Sequence, residues 1–187
     1  EYIDDFEKYD NMCGGFIWDF VDQALHVKDE NGNDNYLYGT DFQGQEPHKL
    51  IDIPNTTAMT GSNVYFCANG IIGADRKPHP QIAEVKHGYQ NIGITAVDAS
   101  NGEFKLKNKF LFTNLSDFNC KWVIKAEGEE VLSGELGKIE CAPLEECNIK
   151  IDFDSSKLPK DKEVILTVSF ETTKESLGIE KDYEIAF

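Results

Sequence analysis

The chain has little positive charge for its size: 18 Lys and Arg stand against 34 Asp and Glu, a formal net charge of -16. So acidic a surface repels nucleic-acid phosphates and anionic lipid headgroups, which argues against a nucleic-acid or membrane partner. The sequence also lacks any run of about 18 or more apolar residues. It shows no basic, apolar leader ending in small residues, so neither a transmembrane helix nor a secretory signal is read in it. Cysteine is sparse and unpatterned. Cys13, Cys67, Cys120, Cys141 and Cys147 are odd in number with no C-x-x-C spacing, which fits reduced thiols and a cytoplasmic location better than a disulfide framework or a zinc site. Histidine is equally scattered. His26, His48 and His87 receive no chemistry, and His79, between Pro78 and Pro80, reads as a hydrogen-bonded positioning residue because no second ligand stands at metal spacing.

What is present is an ordinary globular composition: 187 residues, 40% hydrophobic and 28% charged, enough for one or two domains and a sizeable core. The most specific stretch is Gly14 to Gln23, GGFIWDFVDQ. Its unbroken apolar run, Phe16-Ile17-Trp18, predicts a strand buried on both faces, as in parallel sheets covered by helices. Asp19, Asp22 and Gln23 crowd its C-terminal end, where a (β/α)₈ barrel builds its active site, so Trp18 is expected at the rim of a pocket. On spacing alone the run is equally a buried strand with a core tryptophan.

Before it, Glu1 to Asn11 spaces Tyr2, Ile3, Phe6 and Tyr9 as a short amphipathic helix does, and the strand's missing partners imply a longer parent sequence. From Ala24 the chain turns polar, and roughly fifty residues pass before the next convincing helix, too many for a simple βα connection. That span is expected to be a functional loop region. Inside it, Tyr65-Phe66-Cys67-Ala68-Asn69-Gly70 is expected to form a tight bend, with Asn-Gly in a left-handed turn holding a carbonyl near an amide side chain. The Pro78-His79-Pro80 segment opens a helix bearing Ile82, Val85 and Tyr89 on one face.

Past Ile92 the texture becomes short alternating runs closed by turn residues. Strands are predicted over 93–97, 103–107, 110–114, 121–126, 130–136, 148–153, 164–170 and 183–187. Eight short strands with hardly a helix point to an immunoglobulin-like antiparallel β-sandwich, with Trp122 facing inward beside Ile124. Nothing in this half resembles a catalytic constellation, and its acids read as solvated outer faces.

In order, GGFIWDFVDQ, FCANG, ADRKPHPQIAEVKHGYQ and a strand-rich half containing KNKFLFTNLSD and ending in DYEIAF resemble the large β-galactosidases of glycoside hydrolase family 2. The resemblance covers essentially the entire chain. It implies that residues 1–91 are the C-terminal piece of a catalytic (β/α)₈ TIM barrel and that residues 92–187 are the sandwich that follows it, domain 4 of those enzymes. It further implies retaining hydrolysis of terminal β-D-galactose by two glutamates on earlier barrel strands, neither in this chain. Glu1-Tyr2 looks superficially like the nucleophile segment, but Ile3-Asp4 follow and Trp18 comes too soon, so no catalytic residue is assigned.

Carried over residue by residue, Trp18 matches the tryptophan that packs on galactose, Phe66 the residue whose carbonyl binds sodium, and Asn69 the asparagine that binds sodium and reaches the sugar hydroxyls. An indole suits the apolar face of a pyranose, and oxygen ligands suit a hard cation. The resemblance also implies magnesium in the parent, with ligands outside this chain, β-galactosides such as lactose as substrates, and a homo-oligomer. This chain departs from the family pattern by an insertion of roughly a dozen residues within 43–62, which bears on substrate preference. Two other readings stay open. One is a non-catalytic carbohydrate-binding or structural sandwich, disfavoured as a lectin because Phe104, Phe110, Phe112, Trp122 and Phe170 alternate as core residues. The other is another family 2 activity, such as β-glucuronidase or β-mannosidase, disfavoured by FCANG.

Overall fold

A computed structural model describes residues 2–37 and 68–187. The chain divides into two compact units, Glu1–Gly88 and Tyr89–Phe187.

In the first unit, helix α1 (Tyr2–Lys8) forms where the amphipathic spacing predicts one, with Lys8 in its last turn, where a cation complements the helix dipole. Strands β1 (Leu25–Lys28) and β2 (Asp34–Leu37) form an antiparallel hairpin, Leu25 opposite Leu37 and Lys28 opposite Asp34. Its turn is organised by Asp29, whose carboxylate accepts from the amides of Asn31 and Asn33, while Gly32 takes a left-handed φ of 84°. Where only a polar loop region was expected, the Asn31-Gly32 pair had carried a hairpin signal. Helix α2 (Ile82–Tyr89) follows Pro80, two residues later than the proline-rich opening itself.

The predicted strand over Gly14–Gln23 is corrected. No regular strand covers Gly14–Phe20, and the apolar run is open: Phe16 is 103% exposed, Trp18 71% and Phe20 59%. A run apolar on both faces is stable as a strand only when sheet neighbours and covering helices take it out of water, and among the described residues nothing does. Pairing begins later. Asp19 N donates to Asn69 O, Ile71 N to Asp19 O, Ile72 N to Phe20 O and Asp22 N to Ile72 O, which makes a short parallel ladder around a Val21–Ile72 bridge. On its other side Ile72 bridges Pro78 antiparallel, through a turn closed by Gly73 N to Lys77 O.

The second unit contains two antiparallel sheets. Strands β3 (Ile92–Asp98), β4 (Glu103–Asn108) and β7 (Glu146–Lys150) form one in the order β3-β4-β7. Strands β5 (Phe118–Ala126), β6 (Glu129–Gly137), β8 (Val164–Thr172) and β9 (Glu184–Ala186) form the other in the order β6-β5-β8-β9. Alternation fixes which face goes inward: in β4, Phe104, Leu106 and Asn108 are buried while Glu103, Lys105 and Lys107 are exposed. Residues of both sheets share one apolar cluster, including Ile92, Leu106 and Ile149 from the first and Cys120, Val168 and Phe170 from the second. Trp122 packs against that cluster only partly buried, opposite Gly134, where an added Cβ would lie 2.7 Å from the indole.

One predicted strand of this half, 110–114, is also corrected: Leu111 is 63% and Phe112 92% exposed, and Phe112 is not a core residue. The reason lies at Asn108, a fully buried amide. Its Nδ2 donates to Thr113 O and Cys141 O, both at 2.9 Å, and its Oδ1 accepts from Phe110 N at 3.0 Å. These bonds satisfy Phe110 N and Thr113 O without a ladder.

Candidate functional site

The ladder of the first unit brings the segment after Trp18 against Asn69: the Asp19 amide donates to the Asn69 carbonyl at 3.2 Å, fifty positions away in sequence. The peptide between Trp18 and Asp19 is cis. The Asp19 carboxylate caps its own neighbourhood, accepting from Phe20 N at 2.7 Å and from Gln23 Nε2 at 3.2 Å. Trp18 presents an exposed indole, so the pocket rim expected of it is not formed by the described residues. Phe66 lies outside the described residues, as do Glu1, His48, Cys67 and the 43–62 insertion.

Asn69 stands out chemically. Its side-chain Oδ1 and Nδ2 are both buried, and neither has a hydrogen-bond partner among the described residues. Leaving a buried amide unsatisfied costs about 1–3 kcal/mol, so such a group in a folded protein calls for a ligand or another partner. A carboxamide oxygen is a hard donor that suits an alkali or alkaline-earth cation or a hydroxyl proton, so Asn69 fits the sodium ligand and sugar contact implied for it. Among the described residues no group of three or more His, Cys, Asp or Glu is placed to hold a metal ion.

The expected left-handed turn at Asn69-Gly70 is corrected: neither residue has a positive φ. Gly70 is needed for close approach instead. A Cβ there would lie 2.2 Å from Asp22 N and 2.4 Å from Val21 C, so only glycine lets the two segments pair. Two side chains that the sequence left without a site role hold this crossing. Asp22 Oδ1 accepts from Gly70 N at 2.8 Å, and His79 Nδ1 lies 2.9 Å from Gly70 O, with Gln81 Nε2 reaching the same carbonyl at 3.3 Å. His79 Nε2 is 3.5 Å from Asp22 Oδ2. His79 is therefore the hydrogen-bonded residue that its flanking prolines implied, whereas no spacing rule pairs it with Asp22.

Beside this crossing, Asp22, Ala24, Tyr36, Ala68, Asp75 and His79 line a cavity of about 350 Å³. Tyr36 Oη donates to Asp75 Oδ2 at 3.1 Å, tying the β1–β2 hairpin to the 73–77 turn, and Lys77 Nζ pairs with the same oxygen at 2.9 Å. The Lys77 ammonium and amide, with the Tyr36 hydroxyl, hold the Asp75 carboxyl down at about 2.

Residues 1–94 match the family model of the glycosyl hydrolases family 2 TIM barrel domain, and residues 104–187 match that of β-galactosidase domain 4. Among curated proteins the chain is similar over its whole length to the β-galactosidase of Priestia megaterium, at 34% identity over 189 residues. It is likewise similar to those of Halalkalibacterium halodurans, at 35%, and Clostridium acetobutylicum, at 33%, each over 187 residues. The chain spans 17% of the length of the first two relatives and 18% of the third. With half of its residues covered by the barrel-domain model, the chain belongs to glycosyl hydrolase family 2.

Proposed function

We propose that the chain is part of a β-galactosidase that removes terminal β-D-galactose with retention of configuration, and that it contributes one wall of the galactose and sodium subsite. The observation that carries this reading is an Asn69 whose buried side-chain amide has no hydrogen-bond partner among the described residues and whose carbonyl accepts from Asp19, the residue after Trp18, within a chain similar end to end to β-galactosidases. Trp18 offers an apolar platform to the C–H face of the sugar. Asn69, with the Phe66 carbonyl, would hold the sodium ion, which when bound supplies a fixed positive charge for orienting sugar oxygens. Magnesium, if the parent uses it, is held by residues elsewhere.

Retaining hydrolysis requires two carboxyl groups about 5 Å apart, one attacking the anomeric carbon and one protonating the leaving oxygen. Both are assigned to earlier barrel strands, so the chain alone carries a binding wall without the reacting groups. Residues 92–187 are assigned as an immunoglobulin-like sandwich with a structural role, which the shared core of its two sheets supports. The enzyme is further assigned as a cytoplasmic homo-oligomer acting on galactosides such as lactose, with the 43–62 insertion bearing on linkage preference.

The test is kinetic. In the full-length protein, Trp18→Ala is expected to raise KM for a nitrophenyl β-galactoside by the loss of about 1–3 kcal/mol of apolar contact. Asn69→Ala is expected to weaken or abolish the dependence of rate on sodium. The isolated 187-residue chain should not turn over the substrate. Turnover by the chain alone, or unchanged sodium dependence in Asn69→Ala, would remove the assignment.

A further inference from the structure

We propose that Asp22 and His79 are positioning residues for Asn69, gripping the backbone on its C-terminal side so that the amide is presented at one place and angle. The proposal rests on the reading of Asn69 as a sodium and sugar contact.

The peptide that joins Asn69 to Gly70 is pinned at both poles. Its carbonyl accepts from Asp19 N at 3.2 Å, and its amide donates to Asp22 Oδ1 at 2.8 Å. The next carbonyl, that of Gly70, meets His79 Nδ1 at 2.9 Å and Gln81 Nε2 at 3.3 Å. A carbonyl oxygen only accepts, so Nδ1 carries the proton in that contact. The second imidazole nitrogen stands 3.5 Å from Asp22 Oδ2, so carboxylate and ring lie beside each other and each holds one polar group of the same glycine, Asp22 its amide and His79 its carbonyl. The Asp22 side chain is only 10% exposed, and a bond from an amide to a shielded carboxylate is worth more than a neutral one. The absence of Cβ space at Gly70 keeps the grip tight. Everything the clamp holds is adjacent to a side chain that no bond fixes among the described residues, since neither Asn69 amide atom has a hydrogen-bond partner there. Backbone restraint from Asp22 and His79 therefore substitutes for the missing side-chain restraint, which is the preorganisation that a weakly held cation and a neutral sugar require.

The experiment uses the full-length protein with Asp22→Ala, Asp22→Asn, His79→Ala, His79→Asn and Gln81→Ala. Sodium binding is read from ²³Na line broadening, KM and kcat from a nitrophenyl β-galactoside, and folding from thermal melts. The two alanine variants should each raise the sodium dissociation constant and KM about tenfold, the scale of one charge-assisted bond, while kcat changes far less. The asparagine variants, which keep an acceptor at Asp22 and a donor at His79, should recover most of the loss. Folded alanine variants with unaltered sodium binding and KM would overturn the proposal. If the alanine variants do not fold, Gln81→Ala, which removes the second donor to Gly70 O, decides it: weaker sodium binding in that variant supports the proposal, and unaltered sodium binding overturns it.

Should Asn69→Ala itself leave sodium binding unchanged, the subsite reading fails, and the clamp is then judged separately. The side-chain ¹⁵N resonance of Asn69 in the 187-residue chain should move in His79→Ala, and its failure to move would refute the clamp.

Discussion

Asn108 shows what one buried polar side chain can dictate. It is fully buried, and it serves Phe110 N, Thr113 O and Cys141 O, so replacing it by leucine strands two backbone groups, Phe110 N and Thr113 O, while Cys141 O keeps its bond from Leu115 N. Asn108→Leu should destabilise the second unit by about 3 kcal/mol, read as a lower urea midpoint, because each stranded group costs about 1–3 kcal/mol less whatever water recovers. The thiols give a second residue-scale outcome. Burial pushes Cys120 and Cys147 up to about 12, whereas Cys13 is exposed. At pH 8 only about one thiol in ten thousand with such a value is ionised. Iodoacetamide at that pH should label Cys13 and leave Cys120 and Cys147 unmodified until the protein unfolds, as mass spectrometry of the labelled peptides would show. Trp18 and Asn69 were legible as site candidates because each sits in a motif of distinctive composition, GGFIWDFVDQ or FCANG. The Asp22–Gly70–His79 contacts were not, because a pairing between residues 48 positions apart leaves no local pattern.

Elements were read well where periodicity had a buried face to report. Strands β4, β5, β6 and β8 were legible because alternation in each records a single shared core. The two failures had different causes. Over 110–114 a single side chain outcompeted the ladder, and over Gly14–Phe20 a sequence suited to two-sided burial meets no covering among the described residues. The β1–β2 hairpin yields a pH prediction of its own. The carboxyls of Asp29, Asp34 and Asp75 are all lowered, by the Asn33 amide groups, by Lys28 with His26, and by Lys77 with Tyr36, respectively. A lowered carboxyl favours the folded form above its unfolded value near 3.8, and that contribution is lost as pH falls toward the folded value, about 2 for Asp75. The protection factor of the Leu37 amide, which corrects for intrinsic exchange, should therefore hold at pH 5 and fall between about pH 4 and 2. Asp75→Asn should show the lower protection already at pH 5.

At the scale of the whole chain the two units differ in how they are held. The second carries one cluster of buried side chains drawn from two sheets, whereas in the first Ile71 is the buried apolar residue among those described. Residues 89–187 expressed alone should accordingly melt in one cooperative transition with a dispersed amide spectrum, and a broad, probe-dependent melt would refute an independent core. The parallel ladder has a consequence for how the family can diverge. Because Asp19–Asp22 and Asn69–Ile72 fasten to each other directly, the chain between them is a closed loop with fixed ends. The entropy of closing such a loop grows only with the logarithm of its length, so doubling the intervening chain costs about 0.6 kcal/mol. Residues can thus be gained or lost between the two anchors over evolutionary time at almost no thermodynamic cost to the crossing, which is inherited unchanged.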